Sequence, residues 1–179
     1  MPSPKLVASV DRLPATDFAA RAFRHQAALY DPLSGRGARI NGGRWNPPNS
    51  FSVLYLALDE ATVALEFHRH AARQGRSVSD FLPRTLYAYD LTLQNILDLR
   101  DEEARRAVSV TMTQIASDDL GPCQHIGEAA QHVGREGILA PSATGSGSVL
   151  AVFLDSISAG SSIDSHALGS WDVPGDLSA

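Results

Sequence analysis

Only one cysteine, Cys123, occurs among the 179 residues, so no intramolecular disulfide forms and a reducing compartment fits. No apolar run reaches membrane-spanning length, and the opening Met1-Pro-Ser-Pro-Lys-Leu6 lacks the apolar core of a signal peptide. The expectation is a cytoplasmic protein without membrane contact. Basic excess is missing as well: a net charge of −5 argues against a large nucleic-acid footprint and against direct DNA binding. The histidines lack metal-ligand spacing. His68 and His70, two apart on a helix, point apart, and His125 and His132 have no cysteine or acidic cluster nearby, so a metal hydrolase is disfavoured and no metal is expected. Internal repeats are absent too, and 44% hydrophobic with 20% charged residues is the balance of one globular domain with a substantial core.

What is present concentrates between Asn41 and Glu66. Gly42 and Gly43 permit positive φ and a close backbone approach to a ligand. Arg44 follows with a planar fork of donors suited to phosphate oxygens. Trp45-Asn-Pro-Pro48 makes a rigid exit that turns a large aromatic inward. Val53 to Leu58 is an almost unbroken apolar run, as in a strand buried on both faces, with Tyr55 at its middle. Asp59 is a suitable N-cap for a helix reaching about Arg73, with Gly75 as the stop. Glu66 falls just outside the apolar arc of that helix, beside Thr62, Arg69, His70 and Arg73. Spacing alone makes it a solvated glutamate paired with Arg69 or His70.

Elsewhere, residues 1–16 read as proline-punctuated and extended, and the segment from Thr16 to Leu29 fits either a helix or a strand. Asp31–Gly43 reads as a long functional loop. Alternation over Thr85–Leu93 predicts a strand, Asp101–Ser117 a helix with acidic residues in its first turn, and Cys123–Val133 a second helix stopped by Gly134. Gly137–Ala140 and Ser148–Asp155 read as strands joined by the Gly-Ser hairpin Thr144–Ser148. Residues 1–155 are taken as the domain and 156–179 as a polar tail, loosely packed or meeting a partner, with Trp171 as its one large anchor.

The ordered set Asp31-Pro-Leu-Ser-Gly-Arg-Gly-Ala38, Gly42-Gly-Arg-Trp-Asn-Pro47, Val53-Leu-Tyr-Leu-Ala57, Ala64-Leu-Glu66 and Ala140-Pro-Ser-Ala143 resembles the signature of RES-domain toxins. These are the toxin halves of RES–Xre (ParT–ParS) toxin–antitoxin systems. The resemblance implies an ADP-ribosyltransferase-like fold and NAD as substrate. It implies that Arg44, Tyr55, Glu66 and Ser142 are active-site residues, with Gly43 at the ligand and Arg21 as a second arginine, a role for which Arg24 competes. It also implies an Xre-type helix-turn-helix antitoxin that blocks the NAD pocket and carries any DNA contact.

The expected fold is a single α/β domain of mixed or antiparallel strands with surrounding helices; the division into two small sheets comes from the resemblance. In the implied chemistry, Glu66 stabilises the positive charge that develops on the ribose as the nicotinamide bond breaks. Arg44 and Arg21 hold phosphate or ribose oxygens, Tyr55 packs on the nicotinamide, and Ser142 bonds the nicotinamide side or orients Glu66. No His and Asp arrangement marks Ser142 as a nucleophile. A host protein as ADP-ribose acceptor is favoured over water or phosphate, which would make the chain an NAD-depleting glycohydrolase or phosphorylase. A non-catalytic nucleotide- or partner-binding module is the alternative from a different class.

Overall fold

The computed structural model describes residues 1–177. In chain order the helices are α1 (Pro4–Arg12), α2 (Arg36–Asn41), α3 (Glu60–Arg73), α4 (Glu102–Ala107), α5 (Met112–Ala116) and α6 (Gly121–His132). The strands are β1 (Thr16–Gln26), β2 (Val53–Ala57), β3 (Arg84–Asp98), β4 (Gly137–Pro141), β5 (Ser148–Phe153) and β6 (Ser162–Trp171).

The strands run in the order β1-β2-β5-β4-β3-β6, and β1 also pairs with β3. All pairings are antiparallel except β3 with β4. Two three-stranded groups therefore exist, β6-β3-β1 and β2-β5-β4. They are joined at one end by the Phe23–Ala57 pair and at the other by Ile96–Asp98 against Gly137–Leu139. The two small sheets implied by the resemblance are thus stitched into one hydrogen-bonded circuit.

The closure traps a core between the two groups. Ala22, Leu54, Leu56, Tyr89, Leu93 and Val152 meet there. On the outer face of β2-β5-β4, helix α6 packs with Val10 of α1 over Trp45, Ile138, Ala151 and Phe153. Helix α3 lays Val63, Phe67 and Ala71 over Leu86 and Trp171 on the other side. β2 is buried on both faces as its apolar run requires, with only Tyr55 half-exposed.

Several local expectations change. Residues 4–12 are helical, because Ser3 caps Leu6 N–H at 3.3 Å and Pro4 sits in the first turn, where a missing N–H costs nothing. The Thr16–Leu29 segment resolves to a strand. The long Asp31–Gly43 loop contains α2, which buries no side chain. The single helix expected over Asp101–Ser117 is two, interrupted at Ser109 with φ of 58° and restarted by a Thr111–Gln114 capping box. The polar tail holds β6, whose backbone pairs along β3 although its side chains are mostly exposed; Trp171 is its buried anchor. The last two tail residues, Ser178 and Ala179, lie outside the described residues.

Candidate active site

The loop carrying Arg44 is held from below by Tyr55. The Tyr55 hydroxyl accepts from Trp45 N at 2.8 Å and donates to Asn46 Oδ1 at 2.8 Å. Gly43 N donates to Asn46 O at 2.9 Å, closing the tight turn. A Cβ on Gly43 would stand 2.5 Å from the Tyr55 ring and hydroxyl, so only glycine fits there. From the other side Gln124 of α6 donates to Gly43 O at 2.9 Å, while Gly127 gives the Trp45 backbone room that a Cβ would take. Burial pushes the Tyr55 phenol well above its ordinary pKa, despite the Trp45 hydrogen bond and the nearby Arg44 guanidinium. Tyr55 is therefore a neutral post that fixes the turn.

Arg44 projects from this turn toward α6 and the α5–α6 connection. Its Nη1 donates to Ser117 O at 3.0 Å. Burial lowers its pKa; the Cys123 thiol hydrogen-bonded to it and the Glu66 carboxylate act in the opposite sense, and Arg69 adds to the lowering. The same connection holds Arg69, which donates to Ala116 O at 2.6 Å and to Asp118 Oδ1 at 3.3 Å.

Glu66 is partly buried on α3. Its partner is neither Arg69 nor His70, the pairs that spacing predicts. Ser142, buried to 1% exposure just after β4, donates from Oγ to Glu66 Oε1 at 2.6 Å. That length is typical of a charge-assisted O–H···O⁻ bond. Ser142 Oγ in turn accepts from Thr144 N at 3.1 Å and lies 2.7 Å from Thr144 Oγ1. The Ser142 proton is committed to Glu66, and the Thr144 hydroxyl lies between Ser142 Oγ and Ser146 O, the latter 3.2 Å away. Among the described residues, Glu66 Oε2 has no hydrogen-bond or ion-pair partner and is free to meet a ligand.

Arg44, Tyr55, Glu66, Ser142 and Gly43 thus come from four parts of the fold and are linked in a chain: Ser142 bonds Glu66, Glu66 and Arg44 act on each other, and Arg44 and Gly43 stand by Tyr55. Arg21 does not join them by any hydrogen bond or ion pair. It is half-exposed on β1 and forks onto Asp90 at 2.8 and 3.0 Å. The competing Arg24 is mostly buried, has no carboxylate partner, and reaches Ser34 O at 3.4 Å and the Tyr89 hydroxyl. Burial lowers its pKa, and Tyr89 opposes that. Arg24 follows Phe23, which pairs across to Ala57 at the foot of α3.

Thr144 and Gln124 escaped the sequence reading. Thr144 lay in a Gly-Ser stretch that read as a plain hairpin, and nothing in the α6 pattern distinguishes Gln124. Among the described residues, no group of three or more His, Cys, Asp and Glu is placed to hold a metal, and no helix is long and apolar enough to cross a membrane.

Comparison with known proteins places the whole chain in a family. The family model described as RES domain matches residues 18–173. The chain is 35% identical over 150 residues to proteins named NAD(+) phosphorylase MbcT from Mycobacterium tuberculosis and Mycobacterium bovis, an alignment covering 83% of this chain and 81% of each relative. Among solved structures, the crystal structure of the M. tuberculosis MbcT–MbcA toxin–antitoxin complex superposes with a TM-score of 0.81 at 28% identity, covering 98% of this chain and 96% of that one.

Proposed function

The chain belongs to the RES domain family, and from that membership we propose that it is the toxin of a toxin–antitoxin pair, which depletes NAD by phosphorolysis. The observation that carries the reading is Glu66, held at one oxygen by Ser142, free at the other, and near enough to Arg44 for the two charges to act on each other.

The bond between the nicotinamide nitrogen and the ribose anomeric carbon breaks, and its electron pair leaves with neutral nicotinamide. Positive charge then develops on the ribose, as in glycoside cleavage. Glu66, accepting from a ribose hydroxyl or facing that charge, interacts more strongly in the transition state than in the ground state, which is the condition for acceleration. An oxygen of inorganic phosphate forms the new bond to the anomeric carbon, giving ADP-ribose phosphorylated there. Arg44 holds substrate phosphate or ribose oxygens through its fork. Ser142, steadied by Thr144, keeps the Glu66 carboxylate aimed. The exposed part of the Tyr55 ring and the bare backbone of Gly43 offer a surface to the nicotinamide. For the second arginine, burial without a carboxylate favours Arg24 over Arg21.

The relatives' name favours phosphate as acceptor over the host protein that the sequence favoured, and over water. The solved neighbour, a toxin–antitoxin complex, supports a cognate antitoxin. We take this to be an Xre-type helix-turn-helix protein covering the pocket, where the exposed Leu33, Ile40 and Leu65 supply apolar contact.

The test is nicotinamide release from NAD by the protein freed of antitoxin, with and without inorganic phosphate, with products identified by phosphorus NMR. Release that needs phosphate and yields the anomeric phosphate is expected. Glu66→Gln should lower kcat/KM about 10²–10³-fold, the usual scale for losing one electrostatic stabiliser, with an unchanged melting temperature. Equal release without phosphate makes the protein a glycohydrolase. Label on a lysate protein makes it a transferase, and no release leaves a binding module.

A further inference from the structure

Three buried side-chain nitrogens among the described residues have no hydrogen-bond partner, and two of them, His25 Nδ1 and Arg84 Nε, lie around the ring of Phe67. His25 stacks on Phe67 with ring centroids 4.0 Å apart. The Arg84 guanidinium lies 5.9 Å from the same ring and 6.0 Å from that of Phe81. Arg24, next to His25 in β1 and so on the opposite face of the strand, is a second mostly buried guanidinium whose charge reaches both His25 and Arg84. Among the described residues, these belong to no ion pair.

The cluster is electrostatically incomplete. Burial lowers the pKa of His25 to about 3, with Arg84, Arg24 and His70 pushing the same way. Burial also lowers that of Arg84; Tyr30 opposes the shift and Arg24 adds to it. His70 is lowered by burial, Arg73 and Arg84. No carboxylate acts on any of these three groups. Like charges kept together out of water without a counter-charge are costly, and removing water from an unpaired donor adds to that cost. Stacking on Phe67 and Phe81 recovers part of it through cation–π attraction, but that attraction gives Arg84 Nε no acceptor. A buried polar atom without a partner in a native protein calls for an explanation, and a bound ion or ligand is one.

We propose that Arg84 and His25, beside Arg24, form a seat for a phosphate group. Arg84 offers its Nε and Nη donors as a fork, which suits phosphate. His25, neutral, offers Nδ1–H in one tautomer. Phe67 follows Glu66 directly on α3, about 100° further round the helix, so the seat adjoins the carboxylate's side of α3. The phosphorolysis reading supplies two sources of the same chemistry, the diphosphate of the dinucleotide and the inorganic phosphate co-substrate; in its choice of ligand the proposal rests on that reading.

Binding separates the sources and needs no turnover. Inorganic phosphate alone and ADP-ribose alone are titrated calorimetrically into the parent, Arg84→Gln and His25→Phe, which keeps the stack on Phe67. Lys5→Gln, the same charge change on the exposed side of α1, is the control. Arg84→Gln should weaken at least one ligand tenfold or more, and His25→Phe the same ligand severalfold. With one positive charge gone from the cluster, ligand-free Arg84→Gln should melt at or above the parent temperature. Loss confined to phosphate assigns the co-substrate, and loss confined to ADP-ribose the diphosphate. Unchanged affinity for both ligands, or a lower melting temperature of ligand-free Arg84→Gln, overturns the proposal. A parent that binds through Arg84 but releases no nicotinamide sinks only the phosphorolysis reading.

Discussion

Replacing Tyr55 by phenylalanine removes one oxygen and leaves the ring. That oxygen is both the acceptor for Trp45 N–H and the donor to Asn46 Oδ1, each at 2.8 Å. Trp45 and Asn46 are both fully buried at 0% exposure, so water does not readily replace either bond. A buried polar group left without its partner costs about 1–3 kcal/mol, which puts the two together at about 2–4 kcal/mol once the turn relaxes. For a domain of this size that is a fall in melting temperature of about 4–16 °C. Because the freed turn carries Arg44, the KM for NAD should rise more than kcat falls. Thermal melts with steady-state nicotinamide release check both halves. A Tyr55→Phe protein that melts within a degree of the parent, with an unchanged KM, refutes the view of Tyr55 as the post under the turn.

Ser142→Ala should lower kcat about 10–100-fold with little change in KM, since a hydrogen bond to a charged group is worth about 1.5–3 kcal/mol; kinetics with saturating NAD tests this. Arg24→Gln should weaken NAD binding at least tenfold, whereas Arg21→Gln, which breaks only an exposed ion pair with Asp90, should leave it within twofold; equal effects would reverse the choice between them. His25 should leave a mark on acid stability. The unfolded chain takes up this proton near pH 6.5 and the folded chain only near 3, so the stability from a neutral His25 is complete above pH 6.5. It is lost as pH falls from there toward 3, by at most about 1.4 kcal/mol per pH unit. Urea melts of His25→Phe across that window should show a shallower pH slope than the parent.

Which parts of this structure can be read without coordinates follows from where the determining interactions lie. The Asp59 cap, the Gly75 stop and the apolar run of β2 depend on neighbours within a few residues, and each forms as its residues dictate. The first helix was obscured because Pro2 and Pro4 look like breakers until Pro4 is seen to occupy a first turn. β6 was hidden by its composition: a strand with one face toward solvent and an edge position can be almost wholly polar and still owe its order to the β3 ladder. At the site, spacing along α3 offers Glu66 the cations Arg69 and His70, but Arg69 reaches Asp118 and the carboxylate turns to Ser142, 76 residues away. Motif resemblance pointed to Ser142; helical geometry alone did not. Arg21 and Arg24 lie three apart in one strand, so alternation puts them on opposite faces. Which face counts depends on Asp90 and Tyr89, which come from β3.

The ladder of β2 has a consequence for when the site assembles during synthesis. β2 shares only one residue pair with β1, and its full set of partners lies in β5, from Ser148 to Phe153. Ser142, which positions Glu66, precedes those partners by only a few residues. A nascent chain that has released Arg44, Tyr55 and Glu66 from the ribosome therefore has three of the site's groups but no ladder to hold them. At about 5–20 residues per second, roughly 5–20 s pass before β5 is made. Throughout that interval the residues of the site are present in the chain but the site itself is not assembled.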